Sequence, residues 1–85
     1  MNASVPLPPP ITSAQLGAAI RFLRESRGMT IEALADKADI HWTYLSSIEN
    51  KKRNPSWDVV SRLAAGLGVA IADLERVAGE QRASA

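Results

Sequence analysis

The sequence predicts an all-α fold of five short helices in one small domain. Alanine and leucine dominate its 85 residues while glycine occurs five times, and this composition favours helices over a sheet. Apolar residues recur at the helical period of about 3.6 residues in five separate segments. Most of these segments are bounded by a capping residue or a glycine, which marks them as distinct helices.

The first helix has a start signal and a stop signal in the sequence. Thr12 and Gln15 have the spacing of a capping box, and Ser13 is an alternative cap for the same helix. The apolar period then continues to about Arg27. Gly28 fits the left-handed backbone position that ends a helix.

The second helix is predicted to start after Thr30 as its cap, with Glu32 in the first turn, where a negative charge is favourable. Its expected core positions are Ile31, Leu34, Ala35 and Ala38. In the following turn, Asp39 stands where glycine is often preferred, and aspartate tolerates left-handed backbone better than most residues. Ile40 is expected to be buried beneath this turn.

Three further helices are predicted after the turn. The third covers about residues 42–51. Ser56 caps the fourth helix, which Gly68 is expected to end. The fifth is short, over about residues 71–78, with Gly79 closing it. The inner face of the fourth helix is expected to consist of Val60, Leu63, Ala64 and Leu67.

The ends of the chain are expected to lie outside the folded domain. We interpret residues 1–12 as a flexible proline-rich arm, residues 13–79 as the domain and residues 80–85 as a frayed tail. No apolar run approaches the length of a membrane span, and the arm lacks the positive charge of a signal peptide. Together with the absence of cysteine, these features favour a cytoplasmic location.

The composition argues against an enzyme, a metal site and a bound cofactor. Cysteine is absent and His41 is the only histidine, so a metal site or a catalytic dyad is not expected. The net charge of +1 is too small to indicate nucleic-acid binding by itself. However, residues 21–62 hold eight basic and six acidic side chains. The densest positive point of that region is formed by Lys51, Lys52 and Arg53.

The third helix has an outer face that suits the major groove of DNA. On a helical wheel, its buried side falls at Leu45 and Ile48. The other side chains are mostly short and polar, with one aromatic at the exposed amino end: Thr43, Ser46, Ser47, Asn50 and Trp42. Short polar side chains let a helix approach base edges, and each can form hydrogen bonds there. An ordinary solvated face would carry long Glu and Lys side chains instead.

Two charged residues fall at the margins of the predicted core. Arg24 lies four residues after Ile20 in the first helix, and Glu49 lies beside the buried side of the third. An unpaired ion at either position would be costly. We therefore predict an ion pair that ties the first helix to the end of the third. A catalytic role for Glu49 is the weaker alternative, because no nucleophile or second carboxylate is suitably placed.

These patterns together resemble the lambda repressor and Cro-like helix-turn-helix family, also called the XRE family. The matching residues 21–74 read RFLRESRGMTIEALADKADIHWTYLSSIENKKRNPSWDVVSRLAAGLGVAIADL. Within the family, the stretch TYLSSIENKKRNPS is similar to the recognition-helix region of small restriction-modification controller proteins. The resemblance implies a lambda-repressor-like five-helix domain that inserts its third helix in the major groove and binds pseudo-palindromic sites as a dimer. It also implies a bacterial or phage-encoded protein that is associated with the nucleoid when bound.

The resemblance implies roles for individual side chains. The base-contacting residues would be Trp42, Thr43, Ser46 and Ser47. Asn50 and Lys52 match positions that contact phosphates in the family. Further candidates for phosphate contacts, from this chain's own residues, are Thr30 (through nearby backbone amides), Tyr44, Lys51 and Arg53. For Tyr44, simple surface packing is an equal alternative to a phosphate contact. The buried arginine–glutamate pair of the family falls on Arg24 and Glu49.

Three positions depart from the family's pattern. Ile31 stands where a phosphate-contacting glutamine is usual, so that contact is expected to be missing. Asp39 replaces the usual glycine of the turn and adds a negative charge. Lys51 replaces a glycine that often follows the third helix and adds a positive charge. Trp42 is unusual for a base reader, and two roles stay open: packing on a thymine methyl or sugar, or covering the turn.

A homodimer is expected, because one half-site interface of this size is small for specific binding at cellular salt. The candidate interface residues are Trp57, Val69 and Val77, from the fourth and fifth helices and the loop between them. The leading hypothesis is a transcription regulator that occupies double-stranded DNA, as a repressor or through RNA polymerase. An antitoxin that also binds a toxin protein is one alternative. A protein-interaction module without DNA binding is another, favoured by Ile31, Asp39 and Trp42 and opposed by the basic residues and the polar face of the third helix.

Overall fold

The structure, a computed structural model, describes residues 11–81. This part of the chain contains five helices and no strand, so the predicted all-α fold is confirmed. The helices are α1 (Ser13–Ser26), α2 (Ile31–Ala38), α3 (Trp42–Glu49), α4 (Trp57–Leu67) and α5 (Ile71–Glu80). None of these helices has the length and hydrophobicity that crossing a membrane requires. Most of the predicted arm, and the tail from residue 82, lie outside the described residues.

The predicted caps define the starts of three helices. The Thr12 side chain accepts a hydrogen bond from the Gln15 backbone amide, and the Gln15 side-chain oxygen accepts one from the Thr12 backbone amide, which completes the capping box of α1. Thr30 and Ser56 each accept from the backbone three residues later, at the starts of α2 and α4. These bonds satisfy amides that have no partner within the helix.

Left-handed residues end or follow four helices. Gly28 and Gly68 have φ of 66° and 76°, as predicted for helix terminators. Asp39 adopts φ 56° in the turn between α2 and α3, which confirms that aspartate replaces glycine there. Lys51 also lies in this region, with φ 68°.

Two predicted boundaries were wrong. α3 ends at Glu49 rather than at residue 51, because the chain reverses at Lys51. The amides of Lys51 and Lys52 bond back to the carbonyls of Ile48 and Ser47, an arrangement that ends helices and usually employs glycine. α5 runs through Gly79 to Glu80 instead of closing at the glycine, so the predicted tail begins within the helix.

The core lies between α1 and α5 on one side and α2, α3 and α4 on the other, with α3 packed against both α1 and α2. Its fully buried large side chains are Ile20, Leu34, Leu45, Ile48, Leu63 and Leu74. Two residues that were expected to be buried pack only at the edge of the core, partly buried: Ile31 and Ile40. Because α3 contacts two helices through Leu45 and Ile48, its outer face is left to solvent.

α1 and α3 approach each other closely at Gly17. A β-carbon at this position would overlap the backbone carbonyl oxygen of Ile48 and contact the Glu49 backbone. Gly17 is buried and helical, so the absence of a side chain, rather than unusual dihedral angles, is what the position requires. The distance of α3 from the core is therefore set partly by this glycine.

Candidate nucleic-acid interface

The outer face of α3 contains the four side chains that the sequence assigned to base contacts. Trp42 is 48% exposed at the amino end of the helix. Thr43 is exposed, whereas Ser46 and Ser47 are half-buried. Leu45, on the opposite face, is fully buried. The structure therefore brings the four residues to one accessible helix surface, and their contacts with DNA remain a prediction.

His41 caps α3, a role that the sequence analysis missed. Its Nδ1 accepts a hydrogen bond from the Thr43 backbone amide at 3.2 Å and lies 2.7 Å from Thr43 Oγ1. The imidazole also stacks with the Trp42 indole, with ring centroids 6.1 Å apart and an angle of 26° between the planes. The position of His41 could have indicated this role, because the residue directly before a helix often caps it with a side-chain hydrogen-bond acceptor.

The hydroxyls of α3 are engaged in bonds within the helix. Ser47 Oγ donates to the Thr43 carbonyl oxygen at 3.0 Å. Asn50 Nδ2 donates to Ser46 Oγ at 3.3 Å. These contacts orient short side chains that would otherwise rotate freely. The outer face therefore has a defined pattern of hydrogen-bond donors and acceptors.

Residues 51–53, called here the basic turn, follow α3 at once and are all exposed. The guanidinium carbon of Arg53 lies 5.5 Å from the centroid of the Tyr44 ring, a cation–π distance. Tyr44 itself is partly buried and packs against the core. The aromatic ring thus connects α3 to the basic turn. Asn50 is exposed at the junction, so cationic and amide groups adjoin the outer face of the helix.

The predicted ion pair joins α1 to the end of α3. Arg24 Nε and Nη2 donate to the two carboxylate oxygens of Glu49 at 2.7 and 2.9 Å, a bidentate arrangement. Arg24 Nη1 also donates to the Met29 carbonyl at 2.8 Å. The hydrogen bond with Glu49 raises the pKa of Arg24 above its ordinary value, against the opposing effect of burial. The pair fixes the carboxyl end of α3, where the basic turn begins.

Arg62 holds the turn between α2 and α3 from the side of α4. Its Nη1 donates to the carbonyl oxygens of Ala38 and Asp39 at 3.2 and 3.1 Å. Its Nη2 lies 2.9 Å from a carboxylate oxygen of Asp58, one helical turn earlier in α4. The guanidinium therefore satisfies carbonyls at the end of α2 and helps to position α3. Sequence reasoning missed this role because Asp39 and Ala38 precede Arg62 by 23 and 24 residues.

Replacing Arg62 with alanine is expected to destabilise the domain by about 1 kcal/mol, because two carbonyls lose a charged donor but water partly replaces it. Arg62→Lys should recover only part of this loss, since an ammonium lacks the planar fork that reaches both carbonyls and Asp58. Urea denaturation of the three proteins measures the differences. Equal stability of all three would contradict the role of Arg62 in the turn.

At the start of α2, the Thr30 hydroxyl is used as a cap and accepts from the Ala33 amide at 3.0 Å. The neighbouring Ile31 is partly buried against the core rather than projecting freely. This position therefore offers no polar side chain to a phosphate, in line with the departure noted in the sequence. Any contact there would come from backbone amides of the first turn.

The three candidate dimer residues differ in exposure. Trp57 is 65% exposed at the start of α4. Val69 is partly buried against the core. Val77 is only 7% exposed, so little of its side chain is accessible to a second copy. It belongs to the buried residues of α5, a helix that packs mainly on α1.

Within residues 11–81, no group of three or more His, Asp or Glu side chains is arranged to hold a metal ion. The sequence pattern of the helix-turn-helix family matches residues 20–74, which include α2, the turn, α3 and the basic turn. This chain belongs to the helix-turn-helix family. The resemblance to the XRE-type proteins inferred from the sequence is thereby confirmed. In helix-turn-helix terms, α3 is the second helix of the motif.

Curated helix-turn-helix relatives match the same part of the chain. The control protein C.BamHI of Bacillus amyloliquefaciens is 41% identical over 59 residues, which are 68% of this chain and 73% of the relative. The transcriptional regulator DdrOP3 of Deinococcus deserti is 38% identical over 55 residues, or 65% of this chain. The match spans only 43% of that regulator's length.

Solved structures show the same helix-turn-helix fold. The clp gene regulator ClgR of Corynebacterium glutamicum superposes with a TM-score of 0.81 at 30% identity, covering 89% of this chain and 81% of ClgR. The restriction-modification controller protein C.Esp1396I gives a TM-score of 0.74 at 29% identity, covering 78% of this chain and 87% of the controller. That structure contains a C.Esp1396I tetramer in complex with its natural 35 base-pair operator.

Proposed function

We propose that this protein is a sequence-specific transcription regulator that binds a pseudo-palindromic operator as a homodimer, with α3 in the major groove. The observation that carries the proposal is the joint exposure of the outer face of α3 and the basic turn. Short polar side chains on a helix can reach base edges, while adjacent cations neutralise phosphates. The opposite face of α3 is anchored in the core, so the helix is presented as a rigid reading element.

A second copy is part of the proposal because α3 has only eight residues. Two such helices, about 34 Å apart in a dimer, would read successive major grooves on one side of the duplex. The exposed Trp57 and the edge of α4 are the remaining candidates for the dimer contact. The operator complex of C.Esp1396I, a controller with the same fold, supports assembly of several copies on one DNA site.

DNA selection from a random duplex pool tests this function. An enriched inverted repeat, bound by two chains with strong salt dependence, is the expected result. Sedimentation of the protein with and without the enriched duplex measures the number of chains bound. Failure to enrich any sequence would reject the proposed function.

The double variant Lys52→Ala/Arg53→Ala is expected to bind all duplexes more weakly and with a shallower dependence on salt. Each lost phosphate contact should reduce the slope of log K against log salt by about 0.9, counted in both chains of a dimer. The measurement is a fluorescence-anisotropy titration at several salt concentrations. Arg76→Ala is the matched control, because it removes an exposed cation of α5 that pairs with Asp73 and Glu80. An unchanged slope in the double variant would contradict the phosphate contacts.

The alternative function is a protein-interaction module. One observation favours it, the exposure of the Trp42 indole at the start of α3. Such a module would use Trp42 for a protein partner and would not depend on the basic turn for DNA. The selection experiment separates the two functions, because only the regulator enriches a defined duplex.

A further inference from the structure

The Thr43 hydroxyl is constrained by His41 to act as an acceptor. The Thr43 backbone amide donates to His41 Nδ1 at 3.2 Å, which assigns the ring the tautomer with its hydrogen on Nε2. In this tautomer the Thr43 hydroxyl, whose oxygen lies 2.7 Å from Nδ1, donates its own hydrogen to that nitrogen. Only the oxygen lone pairs of Thr43 remain available to an external group.

Ser47 is likewise left with only acceptor capacity for an external group, for a different reason. Its hydroxyl donates to the Thr43 carbonyl oxygen at 3.0 Å, which uses its single hydrogen. Ser46 differs, because its oxygen accepts from the Asn50 amide and its hydrogen is not used in that bond. Two hydroxyls of the outer face are thus acceptors, and they lie four residues apart on one side of α3, which brings their β-carbons about 5–6 Å from each other.

We propose that Thr43 and Ser47 recognise base amino groups, adenine N6 or cytosine N4, and that His41 imposes this selectivity on Thr43; the inference rests on the proposed function. In the major groove these amino groups are the hydrogen-bond donors, whereas purine N7, guanine O6 and thymine O4 are acceptors. For Thr43 to donate to a base acceptor, its hydroxyl would first have to leave His41 Nδ1. His41 is therefore a positioning residue that sets specificity through a neighbouring side chain.

The test uses the enriched duplex, in which one hydrogen-bonding group of one base is removed at a time in one half-site. Purine in place of adenine, or 2-pyrimidinone in place of cytosine, removes the amino group, and 7-deazapurines remove the N7 acceptor. Affinities of the wild-type chain and of Thr43→Val are measured on each duplex. At one position, loss of the amino group is expected to weaken wild-type binding roughly 3- to 10-fold and to leave Thr43→Val binding unchanged. Ser47→Ala should show the same dependence at a second position.

The matched pair of variants at His41 separates selectivity from helix capping. His41→Asn retains a side-chain acceptor of the kind that commonly caps helices, so the dependence of Thr43 on a base amino group should persist. His41→Ala frees the Thr43 hydroxyl, and the preference for a base amino group over a base acceptor at that position should fall roughly 3-fold or more. The dependence of binding on the base amino group opposite Ser47 should be unchanged in both variants. A general loss of folding would weaken that dependence as well.

Dependence of Thr43 on purine N7 in the wild-type chain, or on no base amino group, would overturn the inference while leaving sequence-specific binding intact. Unchanged selectivity in His41→Ala would overturn the role of His41. Absence of any enriched duplex would instead reject the proposed function itself, so the two failures can be told apart.

Discussion

Glu49→Ala is expected to remove a large part of the folding stability of this domain. The change leaves the Arg24 guanidinium without its bidentate partner at a site where only 10% of the arginine side chain is exposed. Breaking a buried ion pair in this way costs about 3–5 kcal/mol. A domain of this size has a free energy of unfolding of about 4–13 kcal/mol, so the variant should unfold at a clearly lower temperature and urea concentration than the wild type. Thermal and urea denaturation followed by circular dichroism measure the loss.

The matched control is Arg21→Ala, which breaks the exposed i, i+4 pair between Arg21 and Glu25 in the same helix. Its expected cost is below about 0.5 kcal/mol, because solvent screens an exposed pair. A second comparison replaces both partners of the buried pair with apolar residues, as in Arg24→Met/Glu49→Leu. This variant should be more stable than Glu49→Ala, since no charge is left buried without a partner. Similar stability of Glu49→Ala and Arg21→Ala would show that the buried pair contributes little.

Gly17→Ala is expected to destabilise the domain by about 2 kcal/mol and to weaken DNA binding further than the stability loss alone explains. The new methyl group would meet the backbone carbonyl of Ile48, which cannot move aside without a shift of α3. The cost of overpacking, about 1–3 kcal/mol or more, exceeds the gain of about 1 kcal/mol in helix propensity. Because α3 presents the proposed reading face, its displacement should disturb contacts that need correct distances. Denaturation and duplex binding under conditions where the variant is folded measure the two effects.

Gly79→Ala makes the same chemical change where no atom lies within 4 Å of the added β-carbon. Gly79 is also helical, within α5, so the substitution should stabilise the domain by about 0.5–1 kcal/mol. Opposite signs for the two glycine variants would establish that Gly17 is required for close packing. A stabilised Gly17→Ala protein with normal DNA affinity would contradict the proposed role of this contact in positioning α3.

Features that depend on residues three or four apart were predictable from the sequence. The capping box at Thr12, the caps at Thr30 and Ser56 and the terminator at Gly28 all involve neighbours along the chain. The left-handed turn at Asp39 was predictable for the same reason. The separation of α3 into a buried and an outer face follows from helical periodicity alone.

The Arg24–Glu49 pair was also predictable, although its partners are 25 residues apart. Each charge falls at a core margin by its own helical position, and an unpaired ion there is unfavourable. Pairing the two charges removes that cost for both, and the family resemblance placed its buried arginine–glutamate pair at the same two positions. Long-range prediction succeeded here because the physical requirement was strong.

The remaining long-range features required the tertiary structure. The sequence did not indicate that Arg62 would bond to carbonyls of the α2–α3 turn, because a surface arginine on α4 has many possible partners. It also did not indicate that Val77 would be covered by the chain's own core, since the packing of α5 on α1 depends on crossing geometry. The same is true of the close approach at Gly17.

The sequence by itself determined the five helices, their caps, the core-facing residues of α3 and the position of the basic turn beside it. These features follow from propensity, periodicity and local hydrogen bonding, which act over a few residues. The tertiary structure decided how far α3 projects and which groups hold the turn before it. It also decided whether the hydrogen of each hydroxyl on the outer face is already used in a hydrogen bond. Those properties depend on atoms brought together by packing and on the direction of individual hydrogen bonds, neither of which the order of residue types specifies.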